Sequence, residues 1–224
     1  MTASFLKRIG IFALTFFFCF CGIYTWKLSN VKVYSVQTSF YYLVADDLRI
    51  EASAEFVKLE GGAGYLFEYN GRDYVALNVY TNKTDCEQVY EHLCGQGKPT
   101  LLKEIAIEKL YFLKQEDKRK SEIYLSAFKC LQGDIGLLEG CGNLLEKGET
   151  QERCKEILKT LQNQMEFQGE RYEDKYKAFS QTCKRTAKKI ERLLNSVLYV
   201  QDVRYLLCET VDEYMNLAAA FKIK

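Results

Sequence analysis

The spacing of apolar residues divides the chain into three stretches. Residues 9–26 form an uncharged run, residues 31–113 alternate between strand-like and helix-like patterns, and residues 118–224 repeat apolar residues at intervals of three and four. A period of two indicates a strand with one buried face, whereas a period near 3.6 indicates an amphipathic helix. The chain is therefore predicted to be an α+β protein with a small mixed unit followed by a helical one.

The mixed unit begins with a strand and a short helix. The segment VKVYSVQTSF at 31–40 is β-branched and aromatic with polar alternation, which is typical of a strand. The segment IEASAEFVKLE then has apolar residues at helical spacing and stops at Gly61-Gly62, a signal for the end of a helix.

A hairpin, a second helix and a last strand follow. Asn70-Gly71 separates two alternating runs, and this dipeptide favours a hairpin because both turn residues need a positive φ. The segment TDCEQVYEHL predicts a helix that Thr84 or Asp85 can cap. We interpret 101–107 as a strand, with the start of a helix as the alternative. The order β-α-β-β-α-β predicts a four-stranded antiparallel sheet with two helices on one face and an open second face.

The stretch 118–224 predicts three helices. One covers 122–140, a long one follows the apolar stripe from Cys154 to Val197, and the last begins at Asp202. Short turns between such helices favour an antiparallel bundle. Its core is expected to contain the following residues: Leu158, Leu161, Phe179, Ile190 and Leu206.

Residues 9–26 are predicted to be a transmembrane helix. They carry no charge, and about 17–25 apolar residues cross a bilayer. Lys7 and Arg8 precede the run, so residues 1–8 are expected in the cytoplasm and the rest outside it. A cleaved signal peptide is the alternative, although no Ala-x-Ala-like site follows the run.

The amino-acid composition limits the kinds of binding and catalysis that the chain can support. The chain has 31 basic and 30 acidic residues, which removes the electrostatic argument for binding nucleic acid. It has one histidine, His92, so metal or nucleophilic catalysis would depend on a single imidazole. We therefore expect no cofactor, no metal site and no enzymatic activity, and instead a binding or scaffold protein.

The cysteines leave two readings open. Nine are present, of which Cys19 and Cys21 fall in the uncharged run and the other seven follow it. An odd number cannot all pair within one chain, and no CxxC motif occurs. Export favours disulfides, whereas positions on apolar helix faces favour cysteines that act as small core residues.

One face of the predicted sheet carries aromatic and amide side chains. Strand alternation is expected to place Val75 and Val79 in the core and to turn Tyr74, Asn78 and Tyr80 to the opposite face. Aromatic rings stack on sugar rings and amides bond to hydroxyl groups, so this face suits a glycan. An ordinary polar sheet face is the alternative.

Two of these strands resemble those of SPOR domains. Tyr34-Ser35-Val36-Gln37-Thr38-Ser39-Phe40-Tyr41 is similar to the opening strand of that family, and Tyr74-Val75-Ala76-Leu77-Asn78-Val79-Tyr80 is similar to a later one. The element order after an N-terminal anchor also matches. The resemblance implies binding of peptidoglycan glycan strands on the sheet face away from the helices. It assigns the glycan to the following residues: Gln37, Ser39, Tyr74, Asn78 and Tyr80.

The resulting hypothesis is a bacterial, non-catalytic, single-pass membrane protein that binds peptidoglycan outside the cytoplasm during cell division or sporulation. Residues 31–113 would form the SPOR-like domain, and 118–224 a helical domain that binds a protein partner or acts as a spacer. The alternative is an extracytoplasmic scaffold that binds a protein partner and no glycan. Exposure of the sheet face distinguishes the two: an open face favours glycan, and a face buried beneath the helices favours a scaffold.

Overall fold

The computed structural model describes residues 38–45, 50–107 and 118–220. The elements follow one another in this order: β1 (Thr38–Ala45), α1 (Ile50–Leu59), β2 (Tyr65–Tyr69), β3 (Arg72–Tyr80), α2 (Lys83–Gly95), β4 (Thr100–Ile107), α3 (Lys118–Glu146), α4 (Gln151–Arg171), α5 (Lys177–Leu194) and α6 (Val200–Ala219). The α+β class and the β-α-β-β-α-β order are thus confirmed.

The four strands form one antiparallel sheet in the order β2-β3-β1-β4. Asn70 and Gly71 make the predicted hairpin turn between β2 and β3, with φ values of 53° and 73°. The segment at 101–107 belongs to β4, which pairs along the whole length of β1. The strand interpretation of this segment is therefore confirmed.

Helices α1 and α2 lie on the same face of the sheet. Val57 of α1 is buried, and Cys86 of α2 packs with Leu43 and Tyr80 of the strands. The cap of helix α2 is Asn82, two residues before Thr84, the earlier of the two expected caps, and its Oδ1 accepts a hydrogen bond from the Thr84 backbone N at 2.9 Å. An asparagine before the first turn satisfies an amide that would otherwise lack a partner.

The other face of the sheet is covered by α3 and α6, so the expectation of an open face is wrong. The Phe40 ring of β1 packs edge-to-face on Tyr214 of α6, with ring centroids 5.4 Å apart, and Tyr214 packs in the same way on Phe128 of α3. Phe40, Tyr42 and the buried residues of the helices form one hydrophobic core. The run Phe40–Val44 is apolar throughout, which is the pattern of a strand buried on both faces.

The C-terminal part contains four helices among the described residues, one more than expected. The apolar stripe is interrupted between α4 and α5, where the chain turns at 172–176 and the two helices pack against each other. Gly169 permits their close approach, since a Cβ there would lie 2.7 Å from Lys184 Cγ and the Ser180 hydroxyl donates to the Gly169 carbonyl at 2.6 Å.

The five core residues named from the helical spacing are all buried, which confirms that part of the interpretation. Val197, at the end of the predicted stripe, is exposed because α5 ends at Leu194.

None of the helices in the described ranges contains a stretch long and apolar enough to cross a bilayer. The proposed membrane segment at 9–26 lies outside those ranges, as do the domain boundary near 113 and residues 1–8.

Substitutions of Gly64 and Gly71 test how closely α1 approaches the turn before β2. Gly64 has a φ of 60°, and a Cβ there would lie 2.5 Å from the Ala54 carbonyl oxygen, whereas Gly71 has a φ of 73° with open space around it. Gly71→Ala is expected to cost about 1 kcal/mol of unfolding free energy for the left-handed backbone alone. Gly64→Ala should cost at least about 1 kcal/mol more, because of the clash with backbone. Urea unfolding of both variants measures the difference, and equal costs would contradict the close approach of α1 to this turn.

Candidate functional site

The predicted glycan-binding residues do not share one open face. The pairing of β1 with β3 shifts by one residue, so that Leu43 pairs with Asn78 but Val44 pairs with Ala76. The bulge at Leu77 reverses the alternation, because residues on either side of an extra residue turn to opposite faces. The expected grouping of Tyr74, Asn78 and Tyr80 on one face is therefore corrected.

Asn78 and Tyr80 face α1 and α2, and each is only 4% exposed. Ser39 is half-buried on β1, and alternation places it on this same side of the sheet. Tyr74 lies on the opposite side, where its ring packs on Phe67 with centroids 5.7 Å apart. Gln37 lies outside the described residues. Glycan binding by these residues stays a prediction. The described members of the set lie on two opposite faces of the sheet.

A cavity of about 680 Å³ lies between α1, α2 and the sheet. Its walls are mainly aliphatic side chains from all three elements: Leu43, Val57, Leu77, Val89 and Leu93. Asn78 and Tyr80 also line it, and Arg204 and Glu146 contribute to it from the helical part of the chain. Small-molecule sites have this size and this composition of apolar walls with a few polar groups.

Arg204 links α6 to the turn after α1. Its Nη1 donates to the Gly61 carbonyl at 2.8 Å, and its Nη2 lies 2.7 Å from a carboxylate oxygen of Glu146. The Arg204 side chain is only 12% exposed, and its buried Nε finds no partner within the described part of the chain. The guanidinium group thus lines one end of the cavity and leaves one buried donor unpaired.

Asn78 and Arg204 both affect the pKa of the Tyr80 hydroxyl at this end of the cavity. Burial raises the pKa of the Tyr80 hydroxyl, and a hydrogen bond from Asn78 and the charge of Arg204 oppose that rise. The Oδ1 of Asn78 is buried and has no hydrogen-bond partner among the described residues. Asn78, Tyr80 and Arg204 therefore converge, although they come from distant parts of the sequence.

The charged groups around the cavity are matched in pairs. Lys98 forms an ion pair of 2.8 Å with Glu60, and Arg204 pairs with Glu146. The exposed His92 ring lies 2.8 Å from the Gln96 side-chain nitrogen. Among the described residues, the lining therefore presents no unmatched charge to a ligand.

The second face of the sheet is bound to α3 and α6 by polar contacts as well as apolar ones. The Tyr65 hydroxyl donates to Asp212 at 2.9 Å, and Gln132 bonds to both Thr38 and the Tyr214 hydroxyl. The Thr81 hydroxyl donates to Glu139 at 2.6 Å. Sequence reasoning did not identify these contacts, since each joins residues more than fifty positions apart.

All seven cysteines in the described residues are free, and five of them are buried. Burial raises the pKa of the Cys86 and Cys141 thiols to about 12. A thiol with so high a pKa is a poor nucleophile and metal ligand. The buried cysteines are thus small core residues, as one of the two readings expected.

Among the residues that the structure describes, no three histidine, cysteine or acidic side chains come together in a way that could hold a metal ion. No family model, curated protein or solved structure matches this chain.

Proposed function

We propose that this protein is a non-catalytic, extracytoplasmic scaffold that binds a protein partner through its folded part and is anchored by residues 9–26. The main support for this proposal is that helices cover both faces of the sheet. The sheet face away from α1 and α2, on which a SPOR-like domain would bind a glycan, lies against α3 and α6, and Tyr42 is fully buried between this face and the helices. A glycan strand would have to displace those helices from the shared core.

Helix α1 carries the surface best suited to a partner. Phe56 and Leu59 are three residues apart on one side of the helix, and they are 63% and 86% exposed. Large apolar side chains that adjoin on a surface often mark an interaction site. We infer that a protein partner buries these two residues.

Sedimentation with purified peptidoglycan tests the glycan alternative. The full chain in detergent is expected to stay in the supernatant when sacculi are pelleted, before and after amidase treatment removes the stem peptides. Pelleting with the sacculi would contradict the scaffold proposal, most directly if Tyr74→Ala abolished it without changing the melting temperature.

Site-specific photo-crosslinking in cells tests for the partner. A photoreactive residue at position 56 is expected to give one adduct of defined mass, and Leu59→Asp should remove that adduct because it places a charge in the apolar contact. The same photoreactive residue at the exposed position 163 on α4 is the control and should give no such adduct. Absence of an adduct at 56, or its persistence in Leu59→Asp, would contradict a partner site on α1.

A further inference from the structure

The cavity between α1 and α2 contains polar atoms that the fold itself does not satisfy. Asn78 is only 4% exposed and faces the cavity side of the sheet. Its Oδ1 has no hydrogen-bond partner in the described ranges. Arg204 lines the same cavity and leaves its buried Nε unpaired there. Buried polar groups are nearly always hydrogen-bonded in folded proteins, so an unpaired acceptor and donor in one cavity point to a ligand.

The two groups define the ligand's head. Asn78 Oδ1 accepts a hydrogen bond and Arg204 Nε donates one, so a complementary head carries both a donor and an acceptor. Because Arg204 is already paired with Glu146 and Lys98 with Glu60, a charged head would lose its hydration without meeting an unmatched opposite charge from the described lining residues. A neutral primary amide or hydroxyl group meets both conditions.

The walls define the ligand's body. Leu43, Val57, Leu77 and Leu93 offer aliphatic surface, and the volume of about 680 Å³ lies within the range of small-molecule sites. Phe56 and Pro99 stand among the lining residues as further apolar surface. An unbranched or compact hydrocarbon body would displace water from this surface.

We propose that this cavity binds a small amphipathic molecule with an apolar body and a neutral amide or hydroxyl head, held by Asn78 and Arg204. Phe56 borders both the cavity and the partner surface proposed above, whereas Leu59 does not line the cavity, so Leu59→Asp and Asn78→Leu test the two sites separately. The two proposals can therefore fail independently.

Photoaffinity labelling of the full chain in lipid nanodiscs tests this site. The probes are an octanamide with a diazirine in its alkyl chain and the octanoate with the same diazirine, and labelled positions are located by mass spectrometry. The amide is expected to label β3 and α2 saturably and at least about tenfold more tightly than the carboxylate. Equal labelling by the two probes, or labelling confined to other segments, would overturn the proposal.

Asn78→Leu separates a binding role from a structural one. The variant should weaken the octanamide at least about tenfold and should change the melting temperature little, because leucine of similar size removes an unsatisfied acceptor and this gain offsets the lost hydrogen bond to Tyr80. Asn163→Leu, at an exposed position on α4, is the matched control and should leave labelling unchanged. If Asn78→Leu does not fold, Val89→Phe narrows the cavity from α2 and should reduce labelling instead. Unchanged labelling in a folded variant would refute the site.

Discussion

Tyr214→Ala is expected to lower the unfolding free energy of the whole chain by about 3–5 kcal/mol, the cost typical of removing a fully buried aromatic side chain. Tyr214 has no exposed surface, and its ring packs on both Phe40 and Phe128. Its hydroxyl is bonded to Gln132, which would lose this partner. Urea unfolding followed by circular dichroism measures the loss.

The same experiment tests whether sheet and helices unfold together. Because strand and helix residues share one core, the wild-type chain should lose its near-ultraviolet aromatic signal and its helical signal in a single transition. Tyr199→Ala, at an exposed position before α6, is the matched control and should change stability by less than about 0.5 kcal/mol. Two separate transitions would contradict the shared core.

Asp134→Asn is expected to stabilise the protein at neutral pH. Asp134 lies in α3 with only 3% of its surface exposed, and its Oδ2 has no hydrogen-bond partner within the described residues. Burial raises the pKa of this carboxyl from 3.8 to about 6, and a hydrogen bond from Gln168 opposes the rise. The protonated form is therefore favoured by folding, and the charged form is a cost at pH 7.

The sign of the pH dependence follows from the raised pKa. Between about pH 4 and pH 6 the native carboxyl holds a proton that the unfolded chain has released, so wild-type stability falls as the pH rises through this interval. The loss amounts to about 2–3 kcal/mol, and it is absent from Asp134→Asn. The variant should thus exceed the wild type by about 2 kcal/mol at pH 7.5 and match it near pH 4. A constant difference across this range in thermal melts would contradict the assignment, and Asp174→Asn at an exposed position is the control.

Local patterns in the sequence account for most of the elements. The hairpin at Asn70-Gly71, the two short helices and the element order depend on neighbouring residues, and the period of the helical stretch correctly identifies buried positions such as Leu161 and Ile190. These features were predictable because helix and strand periodicity is a local property of the chain.

The features that the sequence misassigned are non-local. A single extra residue at Leu77 moves Asn78 and Tyr80 to the face opposite the one expected, and strict alternation cannot reveal a bulge. The cavity depends on Arg204 meeting Gly61 across the fold, and no motif indicates that contact. The continuous apolar run Phe40–Val44 was the one local sign that β1 is buried on both faces.

Hydroxyl-radical footprinting of the full chain tests whether two layers of helices enclose the sheet. Phe40 and Tyr42 are buried against the helices, whereas Phe56, Phe167 and Tyr199 are more than half exposed and provide internal references of the same chemical type. The structure predicts rapid oxidation of the three reference residues and almost none of Phe40 and Tyr42. Oxidation of Phe40 and Tyr42 at rates close to that of Phe56 would show that α3 and α6 do not cover this face of the sheet.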